Sequence, residues 1–542
     1  LIKVGNENAD TVLIETAYAA QPMSWAALSY CWGGPPSVKL TVERMDELKT
    51  GIPFDDLDST IQDAIIISRE LGISYLWVDA LCIVQDKTLG EWEEEATRMS
   101  DIYGGSVVTL VAASSPSARD GFLTQRSGGY VPVLFPAEPD ERATGVNASR
   151  TAKVFLSLDS HQSEKEVTGP WANRGWTMQE GHLPNRLLHY TGKQMTWQCR
   201  EGRKWECGAN ESLQDAIHAA QAYASPIDTD AAWFRWQESF TKLKLLPDYL
   251  WANQDLPEFD CREPFYLWYR LVEEFCPRAL TKESDRLLGI SRLAKLFGDI
   301  IKDQGYVAGL WKTDLLRGLA WYTTDAKVIP RRPYNRAFPS WSWASVGQSP
   351  IAIKENTDTM ALSTITDVHV CLEEPGNLFG AIRSGSITIT GPLKKLPRLY
   401  NPNFESAKAS ITPLEFYLSS QIAKQKLEHV DAKYTAPRGC HFAALKILRD
   451  QTCMELLILE SLGRKLEGKE MYCRVGLLTV LPLGGSKSRA SPTLVEFIRN
   501  HETSFEAKLG PLQEKAEMYS PSPALVAELK DERWKRETLI LV

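Results

Sequence analysis

The run Tyr75-Leu76-Trp77-Val78-Asp79-Ala80-Leu81-Cys82-Ile83-Val84-Gln85-Asp86 carries an apolar stretch straight into a polar cluster. Open α/β sheets bind ligands outside the carboxyl ends of their strands, so Asp79, Gln85 and Asp86 stand where a ligand would be held. A carboxylate among apolar residues is costly unless it is paired. The cation available for pairing is Arg174, in Arg174-Gly175-Trp176-Thr177-Met178-Gln179-Glu180. An Asp79–Arg174 pair suits two roles, a lock between two segments or a device that orients a ligand. Trp176 and Gln179 lie in the same run and join the candidate ligand-binding residues. Glu180 is either an acid at the site or a cap for backbone groups before Pro184, and the sequence leaves both readings open.

Other reactive residues carry less. Cys82 would need a general base within hydrogen-bond reach. The bases nearest by motif, His182 and His189, lie on another segment, so the thiol reads as buried and inert. Glu93, Glu94 and Glu95 fall in the first turns of a helix, where acids complement the dipole. Glu95 follows Trp92 by three residues and shares its helix face, which suits core packing for the indole and a salt bridge for the acid. No Gly-x-Gly-x-x-Gly, P-loop, Gly-x-Ser-x-Gly or His-Glu-x-x-His occurs, so dinucleotide, kinase, serine-hydrolase and zinc-hydrolase readings lack support. The ten cysteines form no Cys-x-x-Cys pair and have no histidine at ligand spacing; neither a metal, a cofactor nor a disulfide framework is expected.

These residues need elements to position them. The pattern predicts a helix over 59–71 with Ser59 as its cap and Ile61, Ala64, Ile65, Ser68 and Leu71 on one face. It predicts a strand over 75–84, a helix over 90–103 and a buried strand over 107–113. Val12-Leu13-Ile14 reads as a further strand. This alternation points to an α/β domain with a largely parallel sheet. Residues 114–150 read as loop with an edge strand. A strand pair turns at Thr191-Gly192. Residues 212–330 read as mainly helical, and 339–347 as strand-like with Trp341 and Trp343 on one face. Short strands dominate the remainder. The expected organisation is an α/β domain over 1–200, a helical region over 201–335 and a β-rich region over 336–542.

The chain has 542 residues, more than one compact core holds. Hydrophobic residues make up 43% and charged residues 24%, a globular balance. A net charge of −8 makes nucleic acid a poor partner, and no apolar run is long enough to span a bilayer. Scattered cysteines suit a reducing compartment, so a cytoplasmic location is expected. The 17 tryptophans serve either large cores or pockets for flat ligands; Trp311, Trp321, Trp341 and Trp343 read as core.

Three ordered runs resemble the fungal heterokaryon incompatibility (HET) family. They are Leu28-Ser29-Tyr30-Cys31-Trp32-Gly33, then Leu76 to Asp86 continuing through Trp92, Glu95, Met99 and Tyr103, and then Asn173 to Glu180 with Arg186 and Trp197-Gln198-Cys199. The Asp285-Arg286-Leu287-Leu288-Gly289-Ile290 and Pro339-Ser340-Trp341-Ser342-Trp343-Ala344-Ser345 runs resemble the C-terminal halves of such proteins. Gln198 stands where the family commonly has Glu, and Gly181-His182 where it usually has Arg-Leu. The resemblance implies a TIR-like α/β fold and a role in non-self recognition and cell death, through a small-molecule ligand or a protein partner. It also leaves two enzymatic alternatives: a biosynthetic cyclase or pericyclase acting on an apolar terpenoid or polyketide, and a TIR-like NAD glycohydrolase in which Glu95 holds a ribose hydroxyl or steadies an oxocarbenium.

Overall fold

The computed structural model describes residues 1–5, 11–13, 23–86, 99, 101–124, 130–136, 151–157, 169–208, 210–212, 264–303, 305–323, 338–353, 359–395, 442–449, 454–480 and 534–542. The chain divides into two compact units, Leu1–Gln254 and Asp255–Val542.

The first unit contains strands β1 (Ile2–Lys3), β2 (Val12–Leu13), β3 (Trp25–Ser29), β4 (Tyr75–Trp77), β5 (Val108–Ala112), β6 (Tyr130–Pro136), β7 (Thr151–Ser157), β8 (Arg186–Tyr190), β9 (Met195–Cys199), β10 (Gly202–Trp205) and β11 (Asn210–Ser212). Its helices are α1 (Met45–Thr50), α2 (Ser59–Glu70), α3 (Asp79–Cys82), α4 (101–105) and α5 (Trp176–His182). Nine strands form one sheet in the order β11-β10-β9-β8-β5-β3-β4-β1-β2, while β6 and β7 pair as a separate ribbon. The central strands β8, β5, β3 and β4 are parallel. Both flanks are antiparallel, so the sheet is mixed rather than largely parallel. On the β8–β11 side the cause is local: the turn at Thr191-Gly192 and the tight connections after it can join only antiparallel neighbours.

Helix α2 forms where its pattern predicts, but its cap position is Asp58 and Ser59 is already its first residue. Ile61, Ala64, Ile65 and Ser68 are buried, and the three apolar ones pack with Ala26, Leu28 and Tyr30 of the β3 segment. Leu71, the last residue of the expected stripe, is 50% exposed because the helix has already ended. On the opposite face, Cys31, Val111, Ala113 and Leu187 pack with Trp171. Alternation along the strands thus sends successive residues of the β3 segment and of β5 to opposite faces of the sheet. Val12 and Leu13 form an edge strand, as expected; Ile14 lies outside the described residues.

One expected element is shorter. The strand beginning at Tyr75 ends at Trp77, and the chain turns into α3 at Asp79. Asp79 Oδ1 accepts from the amide of Ala80 at 2.7 Å, and Cys82 N donates to Val78 O at 2.8 Å. A side chain that bonds its own neighbouring amide competes with the sheet ladder. An apolar run alone does not reveal that competition.

The second unit is β-rich in its later part, with a seven-stranded sheet that includes Thr364–Leu372, Ile382–Lys395, Phe442–Arg449, Met454–Leu466, Lys469–Val480 and Lys535–Leu541. The described residues before it contain the helices Pro264–Phe275 and Ser291–Ile301 and short hairpins. The 339–347 segment is not a strand. Ser342 Oγ accepts from Ala344 N and starts a 3-10 turn over Trp343–Val346. Trp311, Trp321, Trp341 and Trp343 are each at most 2% exposed, so they are core. Trp268 and Trp343 both donate their indole N–H to the carbonyl of Gly309 at 2.9 Å. Among the described residues no helix is long and apolar enough to cross a membrane.

Candidate functional site

The site grows from the end of β3. Ser29 is buried, on the sheet face shared by Cys31 and Trp171. Its hydroxyl donates to Glu180 Oε2 and accepts from Trp171 Nε1 at 2.6 Å. Glu180 lies on α5 and is 7% exposed. Burial raises its carboxyl pKa from 4.5 to about 7, against the opposing pull of the Arg174 guanidinium and of the Ser29 hydroxyl. The Tyr103 hydroxyl, which donates to Leu28 O at 3.2 Å, also favours the charged carboxylate. A carboxyl group poised near neutrality can give and regain a proton at physiological pH.

The fold, not sequence spacing, brings Arg174 to the end of β3. Its Nη1 donates to the carbonyl of Tyr30, and its charge interacts first with Glu180 and also with Cys31 and Asp79. Asp79 is half-buried at the start of α3; its Oδ2 accepts from Trp32 Nε1 at 2.8 Å. Burial raises the Asp79 pKa, while Trp32, Ala80 and Arg174 hold it down. The hydroxyl of Tyr30, 2% exposed, meets no hydrogen-bond partner among the described residues, and burial followed by the nearby Asp79 charge pushes its pKa up. Two acids of raised pKa therefore share one arginine at the carboxyl ends of β3 and β4.

The other candidates fall into distinct surroundings. Gln85 Nε2 donates to Asp79 O at 3.0 Å and Ile83 O at 2.9 Å, which braces α3. The Asp86 carboxylate is exposed and accepts from Val42 N at 3.1 Å. Gln179 is buried on α5 and Trp176 half-buried at its start. Glu95 lies outside the described residues. The Cys82 thiol is pushed up by burial. Neither histidine is set to activate it: His182 Nδ1 meets Met178 O at 2.9 Å, and His189 is held neutral, its pKa lowered to about 3 by burial and by Arg203. Gln198 accepts from Arg203 Nη2 at 2.8 Å. Among the described residues no group of three His, Cys, Asp or Glu is arranged to hold a metal.

Ser29, Tyr30, Trp32, Tyr103 and Trp171 were not among the residues singled out by chemistry type. The strand registers explain how they meet. Ser29, Val111 and His189 are direct partners across β3, β5 and β8, about 10 Å from end to end at the usual strand spacing. Trp171 lies along that row, bonded to Ser29 and edge-on to His189 at 6.0 Å.

Gly181 makes room for this indole. A Cβ at Gly181 would lie 2.9 Å from Trp171 Cη2. Gly181→Ala is therefore expected to force Trp171 off Ser29 and to destabilise the first unit by about 1–3 kcal/mol, measured by urea denaturation. An unchanged midpoint would show that the indole moves without loss.

No curated protein and no solved structure matches the chain. Residues 25–180 match the family model described as Heterokaryon incompatibility protein (HET), a span that opens with β3 and closes on Glu180, so the part of the chain that builds this site is similar to that family.

Proposed function

We propose that the chain acts as a HET-type effector in fungal non-self recognition and cell death, and that Glu180 is the proton-transferring group on which this action depends. The observation that carries the reading is the buried Glu180 carboxyl, raised to about 7 and held by Ser29 beside Arg174. A carboxyl that only capped backbone would gain nothing from a pKa near neutrality. Asp79 is the second acid of the pair, and Arg174 positions both. The cyclase alternative asks for a deep aromatic cavity closed to bulk water, whereas the four tryptophans considered for it are packed as core.

The test is inducible expression of the full chain in a fungal host, with viability followed for the native protein and for Glu180→Gln. The expected result is growth arrest with the native chain and at least about a tenfold recovery of viability with the variant at equal protein level. Arrest that persists undiminished with Glu180→Gln removes the carboxyl from the mechanism. A native chain that leaves growth untouched overturns the effector reading.

A further inference from the structure

We infer that the fork between β3 and β5 is a binding site for a small aromatic anion, a flat ring that carries one phosphate or carboxylate. The chain leaves β3, returns as β4 on one side, and later enters as β5 on the other side. The loops that follow β3 and β5 therefore diverge at their carboxyl ends, and in open α/β sheets such a crevice is where ligands bind. Here a cavity of about 180 Å³ opens between Trp32–Pro35 and Ser117–Arg119, with Asp58 in its wall.

The cavity is preformed. Ala118 N donates to Trp32 O at 3.1 Å, and Thr60 N donates to Ala118 O at 2.8 Å, so both loops and the start of α2 are tied together. Gly33 has φ of +65°, and a Cβ there would lie 2.4 Å from Ser117 Cβ. Only a glycine lets the two loops approach this closely.

Its lining specifies the ligand. Trp32 packs partly against the core, and its indole N–H is fixed on Asp79, which leaves a rigid aromatic surface at the pocket. Asp58 is already used: its carboxylate accepts from Ser37 N at 2.9 Å and from Ser37 Oγ at 2.5 Å, and its side chain is 2% exposed. Arg119 is 70% exposed and its Nε stands 3.9 Å from Asp58 Oδ1, so most of the guanidinium faces outward beside the pocket. A planar fork of this kind binds carboxylate or phosphate with two parallel hydrogen bonds. The volume sets the size. Typical small-molecule sites enclose roughly 300–1,000 Å³, so this one admits a single substituted ring. Trp32 also touches Asp79, so occupancy of the pocket is coupled to the acid pair without being part of it.

Calorimetric titration of the full chain with phenyl phosphate, benzoate, phenol and inorganic phosphate tests the site. Phenyl phosphate or benzoate should bind at least about tenfold more tightly than phenol or phosphate alone, and the tighter of the two identifies the anion. Arg119→Met, a change at an exposed residue, should weaken that binding by about tenfold or more. Trp32→Leu, checked for an unchanged melting transition, should do the same. Absence of binding by both aromatic anions, equal binding by phosphate alone, or native affinity in Arg119→Met overturns the proposal. Binding is read without any activity, so the result is separate from that for Glu180.

Discussion

Glu180→Gln is expected to remove a fall in stability of about 3 kcal/mol that the native protein shows as pH rises from about 4.5 to 7. In the unfolded chain the carboxyl titrates near 4.5, and in the folded chain near 7. Below 4.5 both states hold the proton. Between the two values only the folded state holds it, so each rise in pH favours unfolding. Above 7 both states are charged, and the folded chain carries the full cost of a buried carboxylate. The distance from 4.5 to about 7, at about 1.4 kcal/mol for each tenfold change in acidity, gives the size of the fall. Glutamine keeps the acceptor for Ser29 and cannot ionise, so its profile over this window should be flat by comparison. Hydrogen exchange of β3 and β5 amides at pH 5 and pH 8 reads the first unit alone, which matters because a chain of two units need not unfold in one step. Parallel profiles for the two proteins would show that Glu180 titrates as an ordinary carboxyl.

Much of the scaffold is legible in the residues because it rests on periodicity. The α2 face as far as Ser68 and the β5 run from Val108 to Ala113 bury what their pattern says they bury, while Leu71 and Val107 at the ends of the two patterns stay exposed. The hairpin at Thr191-Gly192 follows from turn chemistry. The limits have physical causes. The run after Trp77 stays apolar while the backbone changes from strand to helix, because Asp79 captures the amide of Ala80. The Trp341–Trp343 run alternates like a strand, yet Ser342 caps a turn instead. At the site, Arg174 and Asp79 could be named from charge among apolar residues, and the Arg174 charge opposes the rise that burial imposes on the Asp79 pKa. What escapes such reading is the partner of greatest consequence, Ser29 with Trp171. Neither is ionisable, and their meeting depends on the register of β3 beside β5 and on the space left by Gly181.

This dependence on one small cluster places the heaviest burden on Arg174. Its guanidinium ties the β3 end through Tyr30 O and opposes the upward push of burial on both Glu180 and Asp79. Arg174→Met keeps much of the apolar stem and deletes the charge. At pH 8 the native carboxylate of Glu180 is charged and faces this cation. Without it, the carboxylate is left buried and uncompensated, at a cost on the order of 3 kcal/mol. At pH 5 the native Glu180 already holds its proton, so the same substitution should cost markedly less. The Glu180 pKa should also move above its native value of about 7, since the largest downward influence on it has gone. Hydrogen exchange at the two pH values measures the difference. The double variant Arg174→Met/Glu180→Gln should recover much of the pH 8 loss, because it removes the unpaired charge together with its partner. An Arg174→Met cost that is equal at pH 5 and pH 8, with no recovery in the double variant, would mean that Arg174 acts only through its tie to Tyr30.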